Sequence, residues 1–140
     1  MTRGRNKVSG AAEAAHLADV ALADSFDSLL ATARQAEQDY RHAQATAAPG
    51  DEQYRLATEL AAALTAAMRA AYAAQRAEIG PRGYEDRIFR RKAMATPAVH
   101  AWTDEAERLL TLRESYQLTG FPARPQARAL GVEVARLPAR

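Results

Sequence analysis

The sequence predicts an all-α fold: a long antiparallel helical hairpin, a short basic helix and a C-terminal helix. Three observations support this prediction. Alanine, the strongest helix former, supplies 35 of the 140 residues. Apolar side chains recur at steps of three or four residues, which places them on one face of a helix. Proline and glycine interrupt this pattern at a few sites, and these sites mark the helix ends.

The first predicted helix covers residues 9–47. Apolar residues stand at every third or fourth position from Val8 to Ala47. From Phe26 onward the steps alternate between three and four, as in the seam of a coiled coil. Two consecutive steps of four, from Ala18 to Leu22 and on to Phe26, would locally relax the supercoil.

The second predicted helix covers residues 51–79 and runs back along the first. Pro49 and Gly50 end the first helix, and Asp51 suits the positive N-terminal end of the next one. The second helix carries a ridge of large apolar residues at strict steps of four, from Leu56 to Tyr72. Alanine fills nearly every other face, so other helices can approach it closely from several sides.

Two shorter helices follow. The segment "GPRG", residues 80–83, ends the second helix, and a short helix is predicted over residues 84–95. A C-terminal helix over residues 97–118 starts with Thr96 as its cap and Pro97 in its first turn. The residues predicted to form the core or an oligomer seam are Leu22, Phe26, Leu29, Tyr40, Leu56, Leu60, Leu64, Met68, Tyr72, Trp102 and Leu109.

Charge divides the chain into acidic and basic segments. The helical domain, residues 9–120, lies between a basic N-terminal arm, residues 1–8, and an extended arm rich in proline and arginine, residues 121–140. Residues 8–79 carry a net charge of −5 and residues 96–120 carry −2, whereas 1–7, 80–95 and 121–140 each carry +3. Because 17 of the 19 basic residues are arginine, a GC-rich genome explains part of the basic content.

Residues 80–95, which we name the basic connector, are the first candidate binding surface. Ile88 and Phe89 stand among its basic residues, and Glu85 and Asp86 precede them. Three interpretations are open: neutralisation by acids of the same chain, contact with a nucleic-acid backbone, and contact with an acidic protein surface. The predicted contact residues are Arg82, Arg87, Arg90, Arg91 and Lys92, joined by Arg3, Arg5, Arg124 and Arg128 of the two arms.

The sequence predicts no catalytic residue, no cofactor and no metal site. Glu13 and His16 have the Glu-x-x-His spacing of di-iron bundles, but those bundles need the motif twice, and here it occurs once. His100 and Asp104 stand four residues apart on one helix face, with no third ligand suggested. The chain has no cysteine, and it contains no glycine-rich phosphate loop or nucleophile elbow.

Together these features predict a non-enzymatic assembly module. Buried methyl groups contribute little, so an alanine-rich core favours self-association through alanine-rich helix faces, with the basic connector and arms holding a partner. Sequence-independent nucleic-acid binding is the alternative. The layout of basic arm, helical body and extended tail also resembles phage packaging and head–tail connector subunits. The N-terminus lacks the apolar core of a signal peptide, which favours the cytoplasm and leaves leaderless export as an open alternative.

Overall fold

The computed structural model describes residues 7–121, and the described chain is all-α, as the sequence predicts. The described chain has five α-helices and two short turns of other helix types. These turns are a 3₁₀ turn at Pro81–Tyr84 and a π-helical turn at Tyr116–Gly120. The α-helices are α1 (Gly10–Ala23), α2 (Phe26–Ala45), α3 (Gly50–Ile79), α4 (Arg87–Met94) and α5 (Pro97–Ser115).

The first predicted helix, residues 9–47, is divided into α1 and α2 in the structure. At the division, the N–H of Ser25 donates to the carbonyl of Leu22, three residues earlier, at 3.0 Å. Ser25 adds no side-chain cap to α2. The interruption falls within the two consecutive steps of four from Ala18 to Phe26, where the apolar pattern departs from the heptad. The sequence marked this site but predicted a change in supercoil rather than a break.

A Schellman motif ends α2. The N–H of Ala48 donates to the carbonyl of Ala43 at 2.9 Å, and the N–H of Ala47 donates to the carbonyl of Gln44 at 3.2 Å. Ala47 takes the left-handed conformation that this motif requires, with φ of 54°. α3 then begins at Gly50, one residue before the predicted start, and runs back along α2.

α3 is the centre of the structure, with α1, α2 and α5 all packed against it. Leu60 and Leu64 are almost fully buried on it, and the rest of its buried face is mostly alanine. Alanine lets the neighbouring helices approach closely, so most of the alanine-rich surface of α3 is covered by helices of the same chain. The buried alanines of α3 are Ala57, Ala67, Ala70, Ala71, Ala73 and Ala74.

Aromatic side chains connect α2 with α5. Phe26 meets Trp102 edge to face, with ring centroids 5.2 Å apart, and Tyr40 meets Tyr116 at 6.0 Å. Phe121 stacks on Tyr116 at 5.3 Å, and the Tyr40 hydroxyl donates to the carbonyl of Gly120. The predicted C-terminal helix, residues 97–118, therefore ends as an α-helix at Ser115, and the π-helical turn brings Phe121 onto this aromatic cluster.

The predicted seam residues differ in their burial. Most of them pack in or against the main core, but Leu22 is 38% exposed on α1 and takes no part in that core. The buried members are Phe26, Tyr40, Leu60, Leu64 and Leu109, and the half-buried members are Leu29, Leu56, Met68, Tyr72 and Trp102. No helix in the described part of the chain is long and apolar enough to cross a membrane.

The burial of Leu64 leads to a stability prediction. Leu64 is 2% exposed in the core between the helices, so Leu64→Ala leaves a cavity and should lower the free energy of unfolding by about 2–5 kcal/mol. Urea denaturation followed by circular dichroism measures this change. Leu22→Ala is the matched control, because Leu22 lies outside the core, and it should cost less than about 1 kcal/mol. Equal losses in the two variants would contradict the described core.

The left-handed Ala47 leads to a second stability prediction. A Cβ atom is unfavourable at this φ, so Ala47→Gly should raise the free energy of unfolding by up to about 1 kcal/mol. Ala45→Gly, two residues earlier in the last turn of α2, should instead lower it by roughly 0.5–1 kcal/mol. Urea denaturation of both variants tests the motif, and a loss of stability in Ala47→Gly would show that α2 ends differently.

Candidate partner-binding surface

Two glycines shape the start of the basic connector. Gly80 turns the chain after α3 with a φ of 100°, which suits a residue without a Cβ atom. Gly83 lies in the 3₁₀ turn against α3, where an added Cβ would stand 2.4 Å from Cγ2 of Ile79. The connector therefore lies directly against the last turn of α3, and α4 is held beyond it.

Asp86 starts α4. The short helix predicted over residues 84–95 is present but begins later, at Arg87, because the Asp86 carboxylate caps it by accepting a hydrogen bond from the N–H of Phe89 at 2.9 Å. Arg82 pairs with Asp86 at 3.2 Å and lies over the Phe89 ring, 4.8 Å from its centroid. The Phe89 N–H, aided by the Arg82 guanidinium, holds the pKa of Asp86 below its usual value.

Glu85 and Arg90 also make contacts within the chain. The Glu85 carboxylate accepts hydrogen bonds from the backbone N–H and the hydroxyl of Ser9. Ser9 in turn caps α1 by accepting from the N–H of Ala12 at 3.0 Å. The Arg90 guanidinium donates to the carbonyl of Gly83 at 2.8 Å and so fastens α4 to the 3₁₀ turn. Both acids of the connector are therefore occupied in fixing its position.

The four basic residues of α4 form no ion pair among residues 7–121, and three of them, Arg87, Arg91 and Lys92, are not engaged as Arg90 is with the Gly83 carbonyl. All three are exposed, and Ile88 between them is 70% exposed. Arg87 and Arg91 lie on the ridge between two open clefts of about 590 and 350 Å³. Lys7, from the segment before α1, lines the larger cleft with them. Neutralisation by neighbouring acids therefore accounts for Arg82 but not for these three residues.

The arm residues predicted to contact a partner lie outside the described residues. These are Arg3 and Arg5 near the N-terminus and Arg124 and Arg128 near the C-terminus. Lys7 and Val8 are described, and both line the larger cleft beside α4.

The structure also brings together a polar cluster that the sequence analysis missed. The Arg76 guanidinium of α3 binds the Asp19 carboxylate of α1 through two hydrogen bonds, of 2.8 and 3.0 Å. The Tyr84 hydroxyl of the 3₁₀ turn donates to the same carboxylate. The Asp19 side chain is only 13% exposed. In the sequence, Asp19 is visible only as an acid within an alanine-rich helix, and nothing there points to a particular partner.

This cluster shifts two pKa values in opposite directions. Burial alone would raise the pKa of Asp19, but the hydrogen bonds from Arg76 and Tyr84 lower it below its ordinary value. Burial and the hydrogen bond to Asp19 raise the pKa of Tyr84 to about 12. Protonated Tyr84 therefore stabilises the fold below pH 10, and that stabilisation is lost as the pH rises toward 12. The cluster fastens the connector to α1 and α3 at neutral pH.

The two histidine–acid pairs noted in the sequence have different surroundings. The His16 ring lies against Tyr84, with centroids 6.4 Å apart in an edge-to-face arrangement, so His16 faces the connector. His100 Nδ1 lies 3.2 Å from an Asp104 carboxylate oxygen, and both side chains are exposed. Within residues 7–121, no group of three histidine or acidic residues is arranged to hold a metal ion.

Comparisons of the chain with protein-family models, with curated proteins and with solved structures each found no match. The features that bear on function are therefore those of the chain itself.

The Asp19 cluster leads to a prediction about pH. Asp19→Asn replaces a carboxylate held by two partners and should lower the free energy of unfolding at pH 7 by about 1–3 kcal/mol. Because the pKa of Asp19 is lowered from 3.8 in the fold, its stabilising effect is present above that value and is lost as the pH falls below it. The difference between the two proteins should therefore shrink toward pH 3.

Urea denaturation at several pH values measures this difference. Asp39→Asn is the matched control, because Asp39 is an exposed acid of α2 that accepts a hydrogen bond from Gln35 on its own helix. It should change the stability by less than about 0.5 kcal/mol. A loss in Asp19→Asn that stays the same from pH 7 to pH 3 would show that the charge of Asp19 is not the source of the stabilisation.

Proposed function

We propose that the chain is a non-enzymatic helical interaction module that docks an acidic partner surface through α4. The observation that carries this proposal is the exposure of Arg87, Arg91 and Lys92, which have no acidic partner in the described chain, around an exposed Ile88. Protein interfaces combine an apolar centre with a charged rim, and this arrangement matches that pattern. A phosphate backbone offers no apolar surface to Ile88, so the exposed isoleucine favours a protein partner.

The electrostatics of the most enclosed acid support a non-catalytic role. Acid–base catalysis near neutral pH needs a carboxyl group whose pKa is raised. The pKa of Asp19 is instead lowered, and its carboxylate is occupied by Arg76 and Tyr84. This cluster acts as a support that holds the connector in place.

The second candidate function is binding to a nucleic-acid backbone without sequence preference. The larger cleft, of about 590 Å³, favours it, because four basic residues line it against two acids, Glu85 and Asp86, that are already hydrogen-bonded within the chain. The basic residues are Lys7, Arg82, Arg87 and Arg91. The basic arms predicted from the sequence would add to this binding. Ile88 separates the two candidates, since it contributes to an apolar contact with a protein but not to phosphate contacts.

Fluorescence anisotropy with labelled probes tests the proposal. The two probes are an acidic peptide of about 20 residues that carries leucines, and a mixed-sequence DNA duplex of about 20 base pairs. The peptide should bind more tightly than the duplex, and Arg87→Glu with Arg91→Glu should weaken its binding at least tenfold. Ile88→Ser should weaken binding of the peptide and leave binding of the duplex unchanged.

Arg34→Glu with Arg69→Glu is the control, because both residues are exposed arginines on other helices, outside the ion pairs of the described chain. The dissociation constant of the peptide for this control variant should stay within about twofold of the value for the unchanged chain. The second candidate gains support if the duplex binds more tightly and Ile88→Ser has no effect on either probe. Peptide binding that is equally weakened by both arginine pairs would rule out α4 as the docking helix.

A further inference from the structure

The outer face of α1 is an exposed apolar stripe. Its members stand at positions 14, 17, 18, 21 and 22, the spacing of one helix face, and the stripe consists of Ala14, Leu17, Ala18, Ala21 and Leu22. Leu17 is 67% exposed and Leu22 is 38% exposed. α3, which α1 packs against, lies on the opposite side. This face is therefore apolar and uncovered in the described chain.

Three acidic side chains lie close to this stripe along the chain: Glu13 in the first turn of α1, Asp24 directly after its last residue and Asp27 in the first turn of α2. Glu13, Asp24 and Asp27 are all exposed and have no basic partner among residues 7–121. The chain has no lysine or arginine from residue 8 to residue 33. We name the stripe together with these three acids the acidic face of α1.

The acidic face and α4 are complementary. Each presents exposed aliphatic side chains bordered by charges without partners, and the charges have opposite sign on the two surfaces. Within one chain the surfaces do not meet: Ile88 and Leu17 are both exposed, and Asp24 lies roughly 20 Å along α1 from Ser9, where α1 joins the connector. Two copies, however, can bring them together.

We propose that the acidic surface docked by α4 is the acidic face of α1 on a second copy of this chain. This inference rests on the proposed function and names its partner. Because the two surfaces differ, the contact is head to tail, so each copy can engage one neighbour through α4 and another through α1. A short helix laid across another buries a small area, which corresponds to a weak complex that is sensitive to salt.

Sedimentation velocity of the full chain at micromolar concentrations tests the proposal. In about 50 mM salt the average mass should rise with concentration above the 15.2 kDa of one chain, and in about 500 mM salt it should return to that value. Arg87→Glu with Arg91→Glu should remain monomeric, and so should Asp24→Arg with Asp27→Arg. An equal mixture of these two variants should associate again, because the basic α4 of one variant meets the unchanged acidic face of the other.

Matched variants control for effects of net charge and folding. Glu107→Arg with Glu114→Arg reverses two exposed acids on α5 and should associate like the unchanged chain. Asp24→Asn with Asp27→Asn removes the two negative charges without reversing them, and it should weaken association less than the arginine substitutions do. Circular dichroism checks that every variant is folded. A chain that stays monomeric in low salt, or a mixture that fails to associate, would overturn the proposal, and so would association that appears only when a DNA duplex is added.

The outcomes separate this inference from the proposed function. Suppose that Arg87→Glu with Arg91→Glu loses binding to the acidic peptide while Asp24→Arg with Asp27→Arg associates as before. In that case α4 is a docking helix, and its partner is not the acidic face of α1. If Arg87→Glu with Arg91→Glu still binds the peptide and associates like the unchanged chain, the proposed function itself is wrong.

Discussion

The close approach of helices to α3 is the constraint on which the rest of the structure depends. Alanine at most of its buried positions allows α1, α2 and α5 to share one helix as their common support. A helix lined with larger side chains would hold its neighbours further away and could not be covered so fully by a chain of this length. The larger residues, such as Phe26, Tyr40 and Trp102, are left to bridge α2 and α5, where the helices are not in such close contact.

The position of the basic connector follows from this arrangement. It starts where α3 ends, and it is fixed to α1 through Glu85 and through the Asp19 cluster. The Asp19, Glu85 and Asp86 carboxylates are engaged in these contacts and in the cap of α4, and the basic side chains of α4 stay exposed. The packing thus leaves the supporting acids hydrogen-bonded within the chain, and it leaves Arg87, Arg91 and Lys92 exposed and without an ion pair among residues 7–121.

The sequence predicted the fold class because alanine content and helical spacing are local properties. It also predicted α3 to within one residue, since Pro49, Gly50 and Gly80 act on their own part of the chain. The break between α1 and α2 was not predicted, because no proline or glycine stands there and Asp24 and Ser25 are compatible with a helix. Leu22 was predicted to lie in the core or in an oligomer seam; it lies outside the core of the described chain, because helical spacing does not reveal which side of a helix its own neighbours will cover.

The candidate site was predicted only in part, for a related reason. The basic residues of the connector are visible as a cluster in the sequence, but their partners are not. Whether Glu85 neutralises Arg87 or binds Ser9 depends on contacts between residues 76 positions apart. The Asp19 cluster likewise joins three separate elements, and spacing along one helix carries no information about such contacts.

The anchoring of Phe121 has a consequence for how the chain is oriented. Gly120 and Phe121 are held beside Tyr40, near the start of α3, whereas Ser9 is held by Glu85 beyond its far end. A helix of 30 residues is about 45 Å long, so the two ends of the described chain leave the structure at opposite poles. Groups attached at Ser9 and at Phe121 would therefore lie near opposite ends of α3 and could not reach the same point on the described structure.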